Sequence, residues 1–289
     1  MRGLIMKEPA FAEKRAKEVL DIVKRGKYQL WQKSPDNGEE FDISEDVQFS
    51  INHTDFVTEA EIGTFKVDAS EKDPKADKYP VILVTNESTT KALKRFSDQG
   101  MVRPLGLNFA SPKNPGGGFL RGAQAQEEDL CRSSCLYHTL ANKKEFYDYY
   151  QFVGPTGTGN LLYSPNVVFF KDENYTNVKP FKASIITCAA PNISGLDKDI
   201  RNSATIKTML RDRIGSILRY ASHYGHRNLV LGAWGAGVFG NDPQIVADQF
   251  KYWIYDSYTF ENCFDNIVFA VLDNTPNQIN FSTFQNTFK

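Results

Sequence analysis

The sequence predicts an α/β fold in which a mainly parallel sheet lies between layers of helices, preceded by an N-terminal extension. Two observations carry this. From about residue 80 onward, short apolar runs bounded by turn residues alternate with longer stretches of helical period, the pattern of parallel strands joined by crossover helices. Two glycine-rich segments each directly follow an apolar run, and open α/β sheets bind their ligands at the carboxyl ends of the strands.

Phe11, Ala16, Val19, Leu20 and Val23 recur at helical intervals among lysines and arginines, so residues 10–27 are expected to form an amphipathic helix covering a sheet. Residues 28–57 mix turn residues with short alternating segments such as Val47-Gln48-Phe49-Ser50-Ile51, which read as strand-like. The charged stretch 68–78 reads as an exposed loop. Residues 1–75 are therefore taken as an accessory layer packed on a core of residues 76–289. In that core, strands are expected at 80–85, 102–109, 167–170, 183–188, 229–231 and 267–272. Helices are expected from 88–92 onward and at 123–140, 201–224 and 243–258; Ile206, Leu210, Ile214, Ile217 and Leu218 form one apolar stripe. No internal repeat or low-complexity segment interrupts the chain.

The chain has 289 residues, 41% hydrophobic and 24% charged, enough to bury a large core. With 34 basic against 35 acidic residues, binding of duplex DNA through phosphate neutralisation is disfavoured, so any polyanion must be held locally. No apolar window approaches a membrane span, and residues 1–14 contain no signal-peptide core, so a cytoplasmic protein is expected, or a nuclear one in a eukaryote. Cys131, Cys135, Cys188 and Cys263 make no Cys-x-x-Cys pair. Cys131 and Cys135 fall on one face of the expected helix at 123–140 and are read as small buried hydrophobes, with reduced thiols. None of the four histidines, His53, His138, His223 and His226, lies in a glycine motif, which leaves little support for a His-dependent nucleophile. Neither a metal nor a cofactor is expected.

The first motif spans residues 108–128. Gly116, Gly117 and Gly118 are followed seven residues later by Gln126, Glu127 and Glu128. Consecutive glycines permit positive φ and a close approach of backbone to ligand, while acidic residues in a first helical turn can also simply complement the helix dipole. Adjacent helical residues point about 100° apart, so Glu127 and Glu128 cannot flank a scissile bond as an opposed pair of glycosidase carboxylates does. One is assigned proton transfer and the other substrate positioning. The second motif, residues 229–241, contains Gly232, Gly235, Gly237 and Gly240, more glycines than a tight turn requires. Such a turn aims several backbone N–H groups at one point, with a helix start beyond it, and a diphosphate fits that environment. A dinucleotide-binding fingerprint would belong at the first strand–helix turn; this motif comes late in the chain, which disfavours a nicotinamide oxidoreductase.

Gly-Gly-Gly, six to eight residues, then Gln-Glu-Glu resembles the signature of poly(ADP-ribose) glycohydrolases. Asn108-Phe109-Ala110-Ser111 and the continuation Ala-Gln-Glu-Glu-Asp-Leu-Cys-Arg-Ser-Ser at 125–134 resemble the microbial-type branch. Residues 229–241 are similar to the phosphate-binding loop of macrodomains. The resemblance implies a macrodomain-like three-layer α/β/α sandwich with a mixed, mainly parallel sheet. It makes Glu128 the general acid and Glu127 the holder of ribose hydroxyls, with Gln126 ordering the strand–helix junction beside the substrate. It places Gly116, Gly117 and Gly118 against the ligand and wraps Gly235, Ala236, Gly237, Val238, Phe239 and Gly240 around the diphosphate, with Phe239 beside the distal ribose. Asn108 and Asn114 have amides suited to ribose hydroxyls, although asparagine is also a common turn residue. The expected partner is poly(ADP-ribose) or ADP-ribose on modified proteins, cleaved mainly from chain ends by a monomer without metal. Two other readings stay open: a non-catalytic ADP-ribose binder, and a hydrolase of another ADP-ribose linkage. The intact glutamate pair favours the enzyme, because acidic side chains beside a diphosphate are costly to desolvate in a pure binder.

Overall fold

The computed structural model describes residues 9–31, 38–68, 78–201 and 203–289. The N-terminal part comprises helix α1 (Pro9–Arg25), strands β1 (Lys27–Trp31) and β2 (Gly38–Asp42), helix α2 (Ser44–Asn52), strand β3 (Asp55–Val57) and helix α3 (Glu59–Thr64). Next come β4 (Val81–Thr85), α4 (Thr89–Asp98), β5 (Leu105–Phe109), α5 (Gln126–Ser133), α6 (Leu136–Ala141), α7 (Lys144–Phe152), β6 (Leu161–Lys171) and β7 (Asn177–Cys188). The chain closes with α8 (Lys198–Arg201), α9 (Ala204–His223), β8 (Asn228–Leu231), α10 (Pro243–Lys251), β9 (Asn266–Ala270) and α11 (Ile279–Thr287).

Seven strands form one sheet in the order β3-β6-β7-β5-β8-β9-β4. The run from β7 to β4 is parallel, and β6 is antiparallel to both its neighbours. Alternation along the strands divides the interior in two. Leu105, Leu107, Leu229, Leu231, Ile267 and Phe269 face a core built with α3, α9, α10 and α11. Val230, Val268 and Ala270 face the other core, with α1, α2, α4, α5, α6 and α7. Gly106 points the second way, and a Cβ there would sit 3.1 Å from Leu93 Cδ1, so its absence lets α4 pack close to the sheet. This is the expected three-layer sandwich.

The first helix appears as read: Ala16, Val19 and Ile22 are buried, and each fully buried aliphatic side chain contributes roughly 1.5–3 kcal/mol. The part of the chain before residue 75 reaches into the sheet itself, since β3 pairs with β6 from Asp55↔Tyr163 to Val57↔Leu161. Helix α1 also packs against α5 and against the 3₁₀ turn Phe119–Arg121. Of the charged loop read at 68–78, residues 69–77 lie outside the described residues.

Three local expectations are corrected. Residues 47–51, read as alternating, lie in helix α2, where Glu45 and Asp46 complement the dipole in the first turn and Val47 and Ser50 face inward at helical spacing. The single helix expected over 123–140 is two helices. Ser134 is extended, forms a β-bridge with Phe169, and Cys135 N–H donates to the Val168 carbonyl at 3.0 Å, so pairing with β6 replaces helical bonds at that point. Cys131 and Cys135 therefore do not share one helix, though both are buried and free. The helix expected over 243–258 is α-helical to Lys251 and continues as a π-turn at Tyr252–Asp256. Trp253 packs there where a Cβ on Gly215 would lie 2.5 Å from its ring.

At the amino ends of the parallel strands His226 is fully buried. Its Nδ1 lies 3.0 Å from the Arg103 carbonyl and its Nε2 2.9 Å from the Tyr163 hydroxyl. A carbonyl only accepts, so Nδ1 carries the proton of a neutral ring. Burial pushes the ring down to about 4. Between the unfolded value near 6.5 and about 4 the unfolded chain binds the extra proton, so this group lowers stability as pH falls through that window. Against His226→Gln, wild type is expected to lose up to about 3 kcal/mol of unfolding free energy between pH 6.5 and 4, measured by urea unfolding; a pH-independent gap between the two proteins would refute the assignment.

Candidate active site

Strands β5 and β8 are parallel neighbours, so the two glycine loops that follow them emerge side by side at the carboxyl edge of the sheet. The first loop turns back onto the start of α5. Gly117 N–H donates to the Asn114 carbonyl at 2.9 Å, and Gly116 and Gly117 take φ of +66° and +60°. A Cβ on Gly117 would lie 2.4 Å from Glu128 Oε1 and 3.2 Å from Glu127 Oε2, and one on Gly118 would lie 2.5 Å from Ala123 Cβ. Gly117 is thus required first by the protein's own carboxylates, and Gly118 by the close approach of Ala123.

Glu127 and Glu128 are both buried, 3% and 6% exposed. Glu127 Oε2 accepts Ser111 N–H at 2.7 Å, and Oε1 accepts Asn108 Nδ2 at 3.2 Å. Burial pushes the Glu127 carboxyl up to about 8, against the opposing effect of the Ser111 and Asn108 donors, with the neighbouring Glu128 charge adding to the rise. Glu128 Oε1 accepts Gly118 N–H at 2.7 Å and Oε2 accepts Ala125 N–H at 3.0 Å. The second contact is the return half of a capping box, so Glu128 also secures its own helix start. A carboxylate has about four lone-pair sites, and two remain for a substrate.

Asn108 is fully buried. Its amide bridges Glu127 and the hydroxyl of Thr187, 3.1 Å away on the adjacent position of β7, so it orients Glu127. Gln126 accepts Phe109 N–H at 2.8 Å and donates to the Leu107 carbonyl at 2.8 Å and Thr89 Oγ1 at 3.0 Å; it ties the strand end to the helix start, and both amide hydrogens are taken within the protein. Asn114 is exposed at the loop tip, its N–H held by Ser111 Oγ at 3.2 Å. Arg121 is exposed. Around 85–90, Ser88 caps α4, Thr89 meets Gln126, and Thr90 donates to Asp129 Oδ2 at 3.0 Å; these hydroxyls serve the helices around the glutamates.

The second loop is pinned at both ends. Trp234 is fully buried and donates to the Cys188 carbonyl at 3.0 Å. Asn241 Nδ2 donates to the carbonyls of Pro191 at 2.8 Å and Gly235 at 3.0 Å. Gly235 has φ +79°, and its Cβ would fall 2.5 Å from Ala190 Cβ. A Cβ on Gly237 would meet nothing within 4 Å. Ala236 N–H returns to the Ala233 carbonyl at 3.1 Å and Gly240 N–H to the Gly237 carbonyl at 3.0 Å. Among the described residues no acceptor takes the N–H groups of Gly237, Val238 and Phe239. Val238 is 82% exposed. Phe239 packs against the second core, and its carbonyl accepts Ile193 N–H at 2.9 Å. The helix that follows is corrected as an anion donor: Asp242 accepts Gln244 N–H at 2.8 Å at the start of α10, so a carboxylate already occupies that dipole end.

Sequence reasoning missed the supports Thr187 and Asn241, the donors at Ser111 and Ala125, and the part Gly118, named as a ligand contact, plays in holding Glu128. Asn241 lay inside the second motif; Thr187 had no signal beyond its place in a strand. Among the described residues no group of three or more His, Cys, Asp or Glu side chains is arranged to hold a metal ion, and no helix is long and apolar enough to cross a membrane.

The comparisons with known proteins converge on one family. Among curated proteins, no sequence matches. The structure of poly(ADP-ribose) glycohydrolase from Thermomonospora curvata is 35% identical over 96% of this chain and 99% of that one, with a TM-score of 0.88. The same enzyme bound to the inhibitor ADP-HPD gives 34% identity and 0.85, over 96% of this chain and 99% of that one. The Deinococcus radiodurans glycohydrolase in complex with ADP-ribose gives 32% and 0.75, over 83% of this chain and 96% of that one. A family profile described as microbial-type PARG, catalytic domain, matches residues 16–172, and with both glutamates and both loops in place this chain belongs to the microbial-type poly(ADP-ribose) glycohydrolase family.

Proposed function

We propose that the protein hydrolyses the ribose–ribose O-glycosidic bonds of poly(ADP-ribose), chiefly from chain ends, releasing ADP-ribose, with Glu128 as general acid. The observation that carries this reading is the convergence of Glu127 and Glu128 on Gly117, where an added Cβ would lie 3.2 Å from the Glu127 carboxylate and 2.4 Å from that of Glu128, in a neighbourhood built around an acid pair. ADP-ribose held by the Deinococcus radiodurans relative supports binding of the same unit here.

The diphosphate lies along the open N–H groups of the second loop, and Phe239 gives a fixed wall beside the terminal ribose. Glu127, anchored by Asn108 and Ser111, holds ribose hydroxyls. Glu128 gives its proton to the leaving 2′-oxygen as the C1″–O bond breaks, and positive charge develops on the distal ribose. The substrate's own diphosphate stabilises that charge. The Glu128 carboxylate then takes a proton from water, whose oxygen bonds to C1″. No step is assigned to a metal. Helix α1 braces the first glycine loop, because it packs on the turn that follows it. The protein acts as an intracellular monomer on polymer attached to modified proteins.

Size analysis of products from long poly(ADP-ribose) tests the chain-end preference. Free ADP-ribose is expected from the earliest time points without short oligomers. Early oligomers would show internal cleavage instead, and ADP-ribose binding without any release would make the protein a reader.

A further inference from the structure

The two N–H groups that hold the Glu128 carboxylate, at Gly118 and Ala125, bracket the link between the first glycine loop and α5. The link turns through Gly122 at φ +76°, and Ala123 N–H returns to the Gly118 carbonyl at 3.1 Å. Besides Glu128, a second side chain reaches it from α5. Arg132, 1% exposed in the last turn of that helix, donates from Nη1 to the Ala123 carbonyl at 2.7 Å. Its Nε and Nη2 have no hydrogen-bond partner among the described residues. The guanidinium lies over the Tyr175 ring, 5.5 Å from its centroid. Tyr175, itself at φ +61°, donates its hydroxyl to Asp129 Oδ1 at 2.9 Å, and Thr90 holds Oδ2 at 3.0 Å. The β6–β7 turn, α4 and the helix carrying both glutamates are thereby locked together.

Asp129 and the Tyr175 hydroxyl lie close enough to act on this charge, yet a buried guanidinium that makes one hydrogen bond of good geometry remains costly, and packing a helix end would need only an apolar side chain. We infer that Arg132 is a positioning residue for hydrolysis: by holding the Ala123 carbonyl it fixes the Gly118 and Ala125 N–H groups, and through them the Glu128 carboxyl. This inference rests on Glu128 being the acid. The planar guanidinium suits the task because its donors are fixed relative to one another, whereas an ammonium is a mobile point charge.

The test compares Arg132→Met and Arg132→Lys with wild type, measuring kcat and KM on poly(ADP-ribose), ADP-ribose affinity by calorimetry, and Tm, with assays run well below each Tm. Arg132→Met is expected to lower kcat by about 30- to 300-fold, within the range that misplaced catalytic groups cost, while ADP-ribose affinity stays within about threefold. Unchanged kcat overturns the inference, and so does an equal loss of kcat and ADP-ribose affinity, which would mark a general structural role. If Arg132→Met does not fold, Arg132→Lys decides, since it keeps length and charge but loses the planar fork: a kcat at least about tenfold lower with affinity kept supports the inference, and a wild-type kcat overturns it. Wild-type turnover in the same assay checks the assignment of function separately.

Discussion

Glu128→Gln is expected to slow release of ADP-ribose from poly(ADP-ribose) by about 10²- to 10⁴-fold, the usual cost of removing a general acid, while ADP-ribose itself still binds. An amide keeps the size of the carboxyl but has no proton to give to the leaving 2′-oxygen. It also carries a second, structural consequence. Both carboxylate oxygens now accept backbone N–H groups, from Gly118 and from Ala125, and the amide NH₂ must face one of these donors. Leaving one buried donor unsatisfied costs about 1–3 kcal/mol, so Tm should fall by a few degrees. The two effects separate: stability loss alone scales with temperature and disappears well below Tm, whereas the missing proton does not. Turnover within threefold of wild type at low temperature would remove Glu128 from the acid role. Loss of ADP-ribose affinity in parallel with turnover would instead assign it to binding.

The order of strands and helices from residue 80 was legible because period and turn residues agree there; each apolar run at 80–85, 229–231 and 267–272 coincides with a strand. What failed was decided by partners distant in the chain. Ser134 leaves the helix because β6 offers it and Cys135 a strand to pair with, and nothing in residues 123–140 announces that strand. The segment at 47–51 shows why a five-residue alternation is weak: Val47 and Ile51 are also four apart, which suits a helix face equally. In the site, the glutamates and the glycines were readable because their chemistry is local. Thr187 was not, because its role comes only from standing opposite Asn108 across a parallel strand pair. At the second glycine loop the cap on the following helix was not legible, since only the fold shows Asp242 sitting on that helix end.

Gly117→Ala should be nearly as damaging as loss of the acid, and Gly237→Ala shows why. At Gly117 the new Cβ would lie 2.4 Å from Glu128 Oε1 and 3.1 Å from its Cδ, at φ +60°. A left-handed conformation costs an ordinary L-residue roughly 1–2 kcal/mol. The clash cannot be relieved by a free swing of Glu128, because its carboxylate is tied at both oxygens; moving it breaks a bond to Gly118 or Ala125. A total loss of about 2–3 kcal/mol in stability is expected, with turnover down at least about 100-fold because the acid is displaced. At Gly237 the same methyl group meets nothing within 4 Å and φ is not positive, so thermal stability should stay within about 0.5 kcal/mol of wild type. If the diphosphate fills that space, Gly237→Ala nonetheless weakens ADP-ribose binding by tenfold or more, on the order of 1.4 kcal/mol. A folded, stable variant with lost affinity would place the phosphates against the second loop, because no other partner in the protein contests that position. Unchanged affinity at Gly237 together with full activity in Gly117→Ala would detach both glycine motifs from catalysis and leave them as turns alone.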